Sequence, residues 1–368
     1  MRIAMIAPLA EAIPPRLYGG TERVVSALTE ELVCRGHDVT LFASSDSQTG
    51  AHLIPCCHQG LRLTPGVRDA VAYTIAQLAQ VYAREGDFDI IHNHTDYYAF
   101  PFARAVATPT VTTVHGRLDL PEVGALYRRF PDQALVSISK SQRASLTGVN
   151  WAATVHNGID VSHYHFRAER GSYLVFLGRI SPEKRPDRAI EIARDMGIPL
   201  VIAAKVDPAD ATYYETAIAP LIRANPCVEF IGEVTEREKD TLLGDAFAYL
   251  FPIDWPEPFG LTMVEAMATG TPVIAYRAGS VQEVIRDGVT GFVCDTLHDM
   301  VEAVTRVPEI DRQACRDHVM QHFSVQTMTD GYERVYAQVT NGIPALYPAT
   351  PMSSLSANVL PVTCPPLE

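Results

Sequence analysis

The chain lacks any hydrophobic run long enough to cross a bilayer, for which roughly 18 consecutive apolar residues are needed. The apolar run from Ile3 to Ala10 is followed at once by Glu11, so we interpret it as a buried first strand and not as a signal peptide. The seven cysteines are an odd number without framework spacing. They predict reduced thiols and a cytoplasmic protein, and no pair has the spacing of zinc ligands.

The chain also lacks an excess of basic charge. Its formal net charge is −13 over 368 residues, and most of that charge lies after residue 165. A chain this acidic is not expected to bind nucleic acid, and its second half is not expected to seek anionic lipid. One stretch of the first half, Leu126 to Phe130, mixes arginines with aromatic residues, so we expect at most peripheral membrane contact there; the alternative is a helix end with a solvated basic face.

A third absence is the G-x-G-x-x-G pattern of dinucleotide-binding proteins, which argues against a dehydrogenase. In its place Gly19 and Gly20 open the first predicted helix in G-G-T-E-R. Glycines at a helix start let the backbone contact a phosphate, but they also suit a simple tight turn. The sequence alone leaves both interpretations open.

Apolar strands alternate with helical stretches almost from end to end, which predicts two doubly wound parallel sheets of Rossmann-like type. We place the first domain at residues 1–160 and the second at 161–323, with a hinge near 157–172. The proline-rich segment 341–368 is predicted to be a disordered tail. Open α/β sheets bind ligands beyond the carboxyl ends of their strands, so the site is expected in a cleft between the domains.

The most informative stretch is D-W-P-E-P-F-G-L-T-M-V-E-A-M, residues 254–267. Pro256 and Pro258 keep the first part out of a helix, so the helix begins near Gly260. Its free N–H groups and its dipole attract phosphate, and Glu265, one turn further on, can accept hydrogen bonds from ribose hydroxyls. The alternative is that Glu257 and Glu265 are ordinary solvated acids.

This string resembles the signature of family 4 retaining glycosyltransferases, which have the GT-B fold and two glutamates separated by seven residues. The resemblance implies that Glu265 holds the donor ribose and that Glu257 lies near the transferred sugar as a catalytic residue. It implies that the backbone of Phe259, Gly260 and Leu261 meets the donor diphosphate. It further implies that a last helix, about residues 324–340, packs back onto the first domain.

Three further positions follow predicted strands. Arg179 and Lys184, in G-R-I-S-P-E-K, can neutralise a leaving diphosphate, although two cations among nearby acids also suit a solvated loop. The resemblance implies pyrophosphate binding for both residues and donor phosphate contact for Gly20. His115 in T-V-H-G would more often be structural, but the resemblance implies a catalytic position near the donor sugar.

Three short patterns suggest metal binding, and we reject each of them. Asp87-Phe88-Asp89 has the D-x-D string of metal-dependent glycosyltransferases, but it precedes its strand and so lies away from the expected cleft. His92-Asn93-His94 and His163-Tyr164-His165 have no third ligand at standard spacing. We predict no metal and no cofactor.

The resulting hypothesis is a retaining, metal-independent hexosyltransferase. It would move a sugar from a nucleoside-diphosphate sugar, with UDP expected from the commonest donors of the family, to a hydroxyl of a sugar, lipid-linked or small-molecule acceptor. Two alternatives stay open: a nucleotide-sugar epimerase on the same fold, and a non-catalytic sugar-nucleotide-binding protein.

Overall fold

The computed structural model describes residues 1–17 and 19–342. Its frame consists of thirteen strands in two sheets. The strands are β1 (Arg2–Ile6), β2 (Asp38–Ser44), β3 (His52–Cys57), β4 (Ile90–Asn93), β5 (Thr110–Val114), β6 (Ala134–Ser137), β7 (Trp151–Thr154), β8 (Leu174–Arg179), β9 (Leu200–Lys205), β10 (Val228–Gly232), β11 (Ala248–Phe251), β12 (Val273–Tyr276) and β13 (Gly291–Cys294).

Both sheets are parallel throughout. The first has the order β3-β2-β1-β4-β5-β6-β7 and the second the order β10-β9-β8-β11-β12-β13. In each sheet the strand order reverses beside the first strand of the unit, β1 or β8, which opens a crevice at its carboxyl end. The predicted fold class, two doubly wound parallel-sheet domains, is confirmed.

Helices cover both sheets. They are α1 (Gly20–Cys34), α2 (Ala70–Tyr82), α3 (Phe100–Ala103), α4 (Pro121–Tyr127), α5 (Lys140–Ala144), α6 (Pro186–Met196), α7 (Ala211–Tyr213), α8 (Ala219–Ala224), α9 (Glu236–Gly244), α10 (Leu261–Ala268), α11 (Val281–Val284), α12 (Leu297–Arg306), α13 (Arg312–His322) and α14 (Val325–Gly342). A π-helical turn, Tyr214–Ile218, lies between α7 and α8.

The chain passes between the two sheets twice, at neighbouring points. The backbone N–H of Ile159 donates to the carbonyl of Phe323 at 2.9 Å, and the N–H of Val325 donates to the carbonyl of Ile159 at 2.8 Å. Gly158 permits this approach, because a Cβ there would lie 2.4 Å from the carbonyl oxygen of Ser324. The connector that leaves the first sheet is therefore hydrogen-bonded to the one that returns to it.

After this crossing, α14 packs on the first sheet. Tyr332 and Tyr336 are fully buried in one apolar cluster with Val24 and Leu28 of α1. The helix, Val325–Gly342, corresponds to the last helix predicted at about residues 324–340. Apart from residues 341 and 342, which end this helix, the predicted disordered tail lies outside the described residues.

The stretch considered for membrane contact turns its aromatic residues inward. Tyr127 is buried, and the Phe130 ring lies 5.5 Å from that of Phe100, whereas Arg128 and Arg129 are exposed. Within residues 1–17 and 19–342, no helix combines the length and the apolar character needed to span a bilayer.

Candidate active site

One cavity of about 450 Å³ lies between the two sheets. Residues from both contribute to it, at or just beyond the carboxyl ends of the strands. All nine positions predicted from the sequence line this cavity, and their roles stay predictions; they are Gly20, His115, Arg179, Lys184, Glu257, Phe259, Gly260, Leu261 and Glu265.

The start of α10 faces the cavity. Gly260 has φ 76°, a left-handed conformation that favours glycine, and a Cβ there would lie 2.5 Å from Cε of Met263. No side chain caps this helix, and the backbone N–H groups of Leu261 and Thr262 have no partner among the described residues. The helix start therefore offers two free donors and the positive end of a dipole to an anion.

Hydrogen bonds from Ser280 hold the loop before α10 on the side away from the cavity. The carbonyl of Glu257 accepts a hydrogen bond from the Ser280 N–H at 3.0 Å, and the carbonyl of Phe259 accepts one from Ser280 Oγ at 2.7 Å. The ring of Phe259 is buried and packs 5.9 Å from that of Phe323. Phe259 thus anchors the loop in the core while its backbone lines the cavity.

Glu257 and Lys184 form an ion pair inside the cavity. Trp255 Nε1 donates to Glu257 Oε2 at 2.9 Å, and the Lys184 ammonium lies 5.0 Å from the centre of the Trp255 ring. The carboxylate is therefore fixed by two donors. The lysine, which is only 15% exposed, is the nearest positive charge to it.

Arg179, at the end of β8, is held by two acids. Its Nη2 donates to Glu183 Oε1 at 2.6 Å, and its Nε lies 3.4 Å from Asp210 Oδ2. The guanidinium is one-third exposed and lines the cavity between these acids. A diphosphate with better geometry can take over one of these contacts.

Glu265 is one of the most buried acids of the chain, with 2% of its side chain exposed. Its Oε1 pairs with Lys239, itself 5% exposed, and lies 3.1 Å from Tyr164 Oη. Burial and the nearby carboxylates raise the pKa of Tyr164 well above its ordinary value, so the phenol stays protonated. No contact within the described part of the chain uses Oε2, which leaves that oxygen available to a ligand in the cavity.

Sequence reasoning missed Lys239. It lies on α9 four residues before the buried Leu243, on the apolar face of the helix. A lysine on the apolar face of a helix needs a buried partner, so its position in the sequence could have indicated a buried ion pair. The identity of the partner, Glu265, depends on how α9 packs on α10 and is not visible in the helical pattern.

His115 ends a chain of three histidines beneath the cavity. Its Nε2 lies 2.8 Å from His94 Nδ1, and His94 Nε2 lies 3.2 Å from Met5 Sδ. The thioether can only accept, so we assign the proton of His94 to Nε2, and His115 Nε2–H then donates to His94. Burial lowers the pKa of His115 to about 4, so its imidazole is neutral at ordinary pH.

His92 continues this chain into α14. Its Nδ1 lies 2.7 Å from Tyr336 Oη and its Nε2 lies 2.8 Å from Thr113 Oγ1, while its ring stacks 4.0 Å from that of His94. Burial lowers the pKa of His92 to about 3. The three imidazoles are thus a neutral polar cluster between β4, β5 and α14.

The other two sequence patterns that suggested metal binding, Asp87–Asp89 and His163–His165, form ion pairs within the fold. Asp89 pairs with Arg2 at 2.7 Å at the amino end of the first sheet, away from the cavity, and His165 lies 2.8 Å from Asp240. Among residues 1–17 and 19–342, no group of three or more His, Cys, Asp or Glu side chains is arranged to hold a metal ion.

The chain matches two family models, one in each half. Residues 18–163 match the model of Glycosyltransferase Family 4, and residues 163–317 match the model of Glycosyl transferases group 1. The boundary between the two matches falls just after the first crossing between the sheets.

Curated relatives of similar length support the same class. The chain is 27% identical over 406 residues to a glycogen synthase of Mycobacterium tuberculosis, covering 93% of this chain and 96% of that protein. It is 26% identical over 350 residues to a phosphatidyl-myo-inositol mannosyltransferase of Mycolicibacterium smegmatis, covering 85% and 86%.

Solved structures share the fold. Sucrose-phosphate synthase from Thermosynechococcus elongatus superposes with a TM-score of 0.76 at 16% identity, covering 92% of this chain and 98% of that chain. Anabaena HepE in complex with UDP-glucose superposes with a TM-score of 0.71 at 16% identity, covering 92% and 100%.

The two parallel sheets and the cleft between them are those of the GT-B fold, and the protein is a glycosyltransferase. With both halves matched by these models, it is a glycosyltransferase of the family 4 type.

Proposed function

We propose that this protein is a retaining hexosyltransferase that uses a nucleoside-diphosphate sugar, in the first instance a UDP-sugar, and needs no metal ion. One observation carries the proposal. The free Oε2 of Glu265 and the uncapped start of α10 line the same cavity as Arg179 and Lys184. A carboxylate for hydroxyls and a cationic wall for phosphates are the two requirements of a nucleoside diphosphate.

In this proposal the ribose hydroxyls donate to Glu265 Oε2, and the diphosphate lies against the N–H groups of Leu261 and Thr262. The phosphates compete with Glu257 for Lys184 and with Glu183 for Arg179, because charge-assisted bonds to phosphate are strong. UDP is the first candidate base because the family resemblance favours it and because HepE, which shares the fold, binds UDP-glucose.

Catalysis then rests on stabilising the departing diphosphate. The bond between the anomeric carbon and the diphosphate oxygen breaks while the acceptor hydroxyl attacks from the same face, and the acceptor proton passes to the released diphosphate oxygen. Arg179, Lys184 and the α10 dipole supply the positive charge that a divalent ion supplies in other glycosyltransferases. Positioned charge of this kind lowers the barrier because it strengthens as the leaving group becomes more negative.

His115 suits a positioning role better than that of a base. An imidazole with a pKa of about 4 accepts protons weakly, so the diphosphate oxygen is the better proton acceptor. His115 contributes a neutral hydrogen-bonding ring near the transferred sugar, and Glu257 orients that sugar from the opposite wall.

The acceptor is proposed only as a class, a hydroxyl on a sugar, a lipid-linked molecule or a small molecule. The two relatives, a glycogen synthase and a phosphatidyl-myo-inositol mannosyltransferase, have names that indicate unlike acceptors. They do not select one for this chain.

The test is a product analysis with UDP-, GDP- and ADP-sugars in EDTA, first with donor alone and then with panels of acceptors. We expect slow hydrolysis of one donor alone, and transfer with the anomeric configuration kept, as read by proton NMR. Inverted products would contradict the retaining assignment. Interconversion of the donor sugar without an acceptor would instead support the epimerase alternative.

A further inference from the structure

An ion pair crosses the mouth of the cleft beside the proposed ribose site. Arg23, in the first turn of α1 in the amino-terminal half, places Nε 2.9 Å from Oε2 of Glu236, the first residue of α9 in the carboxy-terminal half. Arg23 Nη2 also donates to the carbonyl of Leu17, which holds the guanidinium in place. The pair therefore forms only while the two walls are close together.

Glu236 is connected to the ribose acid. Its Oε1 lies 3.0 Å from Lys239 Nζ and accepts a hydrogen bond from Tyr164 Oη at 2.7 Å. The same lysine and the same tyrosine contact Oε1 of Glu265. Because the tyrosine has one proton, it cannot donate to both carboxylates, so Lys239 is the cation that the two acids share.

Among Arg23, Glu236, Lys239 and Glu265, the formal charges balance only when Arg23 is included. Glu236 and Glu265 supply two negative charges, and Lys239 supplies one positive charge. Arg23, from the opposite wall, supplies the second. Opening the cleft would remove it, and Glu236, which is 42% exposed, would then draw more strongly on Lys239, the buried partner of Glu265.

We propose that Arg23 and Glu236 are positioning residues that couple closure of the cleft to nucleoside binding at Glu265. Closure balances the cluster and leaves Lys239 to hold Glu265 Oε1, so that Oε2 keeps its place in the cavity. By linkage, a nucleotide that binds Glu265 favours the closed form to the same extent. The inference rests on the proposed function, because it takes the ligand of Glu265 to be a nucleoside diphosphate.

The coupling is tested by calorimetric titration with UDP, ADP and GDP of the wild-type chain, Arg23→Gln, Glu236→Gln and the double variant. Arg35→Gln is the matched control: Arg35 follows the same helix and pairs with Glu333 at 2.7 Å, but its ion pairs lie on the far side from the cavity. We expect each cleft variant to remain folded and to bind about five- to tenfold more weakly, and the double variant to be no weaker than either single one. The control should stay within about twofold.

Independent effects that multiply in the double variant would show that Arg23 contacts the ligand directly, and would overturn the coupling. Unchanged affinity in Arg23→Gln would overturn it as well.

Small-angle X-ray scattering without ligand separates this failure from that of the proposed function. A wild-type chain that binds none of the three nucleotides would refute the function. Even in that case, the radius of gyration tests whether the Arg23–Glu236 pair holds the cleft closed. It should be larger for Arg23→Gln than for the wild type and Arg35→Gln. Equal radii would overturn the pair's role in closure.

Discussion

Two clusters of side chains, one on each side of the cleft, bury polar groups in opposite ways. Beneath the amino-terminal wall, His92, His94 and His115 are kept neutral, because burial lowers the pKa of each. In the carboxy-terminal wall, Lys184 and Lys239 remain in ion pairs with Glu257 and Glu265. A neutral surface suits hydroxyls, and a paired ionic surface suits a charged ligand that exchanges one partner for another.

In the proposed function the two clusters serve different parts of the reaction. The ionic wall, formed by the lysine–glutamate pairs of the carboxy-terminal half, would bind the nucleoside diphosphate, whose charge grows as the sugar leaves. The neutral histidine cluster, which reaches the cavity at His115, would face the acceptor and the transferred sugar.

The largest effect is expected from Arg179→Ala. Loss of a cation that stabilises the leaving diphosphate should lower kcat about 100- to 1,000-fold and leave KM within a few fold, as read from steady-state kinetics with the donor. Arg188→Gln is the control, because Arg188 donates to the carbonyl of Pro252 and does not line the cavity. A rise in KM of similar size, with kcat unchanged, would indicate that Arg179 contributes only to ground-state binding.

Replacing Glu265 tests the ionic wall in a second way. Glu265→Ala should raise the donor Kd about ten- to a hundredfold, as charge-assisted bonds worth roughly 1.5 to 3 kcal/mol are lost. It should also lower the Tm, because Lys239 keeps only Glu236 as a partner.

The double variant Glu265→Gln/Lys239→Met separates these two effects. It should recover the Tm, because the buried charge is gone, but not the affinity for the donor. Recovery of both would mean that Glu265 acts through stability and not through the ribose.

The neutral histidine cluster predicts a loss of stability in mild acid. The folded-state pKa values of His92 and His115, about 3 and about 4, lie below the ordinary 6.5. As pH falls below about 6.5, these histidines are protonated in the unfolded chain but stay neutral in the folded chain. Each histidine therefore lowers the free energy of unfolding by up to about 1.4 kcal/mol per pH unit until its folded pKa is reached. Above about pH 6.5 the contribution is fully present.

Urea unfolding at pH 7, 6 and 5 measures this slope. His94→Gln should flatten it by about one proton, whereas His298→Gln, at a side chain that is 79% exposed, should leave it unchanged. The same slope in His94→Gln and the wild type would contradict the neutral cluster.

The smallest effects compare the two glycines at the helix starts. Gly260→Ala should cost about 1 to 3 kcal/mol, because its φ is positive and its Cβ would meet Met263. Gly20 has open space around it, so Gly20→Ala should change the stability by less than about 0.5 kcal/mol and affect only donor affinity. Equal destabilisation of the two variants would remove the distinction.

Much of this architecture is predictable from sequence because buried parallel strands leave apolar runs at regular spacing. β3 is an exception, because it contains Pro55, which cannot donate a hydrogen bond to a neighbouring strand. The strand is tolerated because it lies at the edge of its sheet. The cavity residues were predictable where a loop follows a strand. Lys239 and the Arg23–Glu236 pair were not, since their partners lie on other elements and depend on the packing of helices.

Calorimetric titration of the wild-type chain with UDP, GDP and ADP in EDTA measures whether the ionic wall binds a nucleoside diphosphate. We expect micromolar affinity for one of the three, strongly reduced in Glu265→Gln. No binding of any of them, by a chain shown to be folded, would contradict this expectation and would mean that the paired glutamates and lysines serve the fold alone.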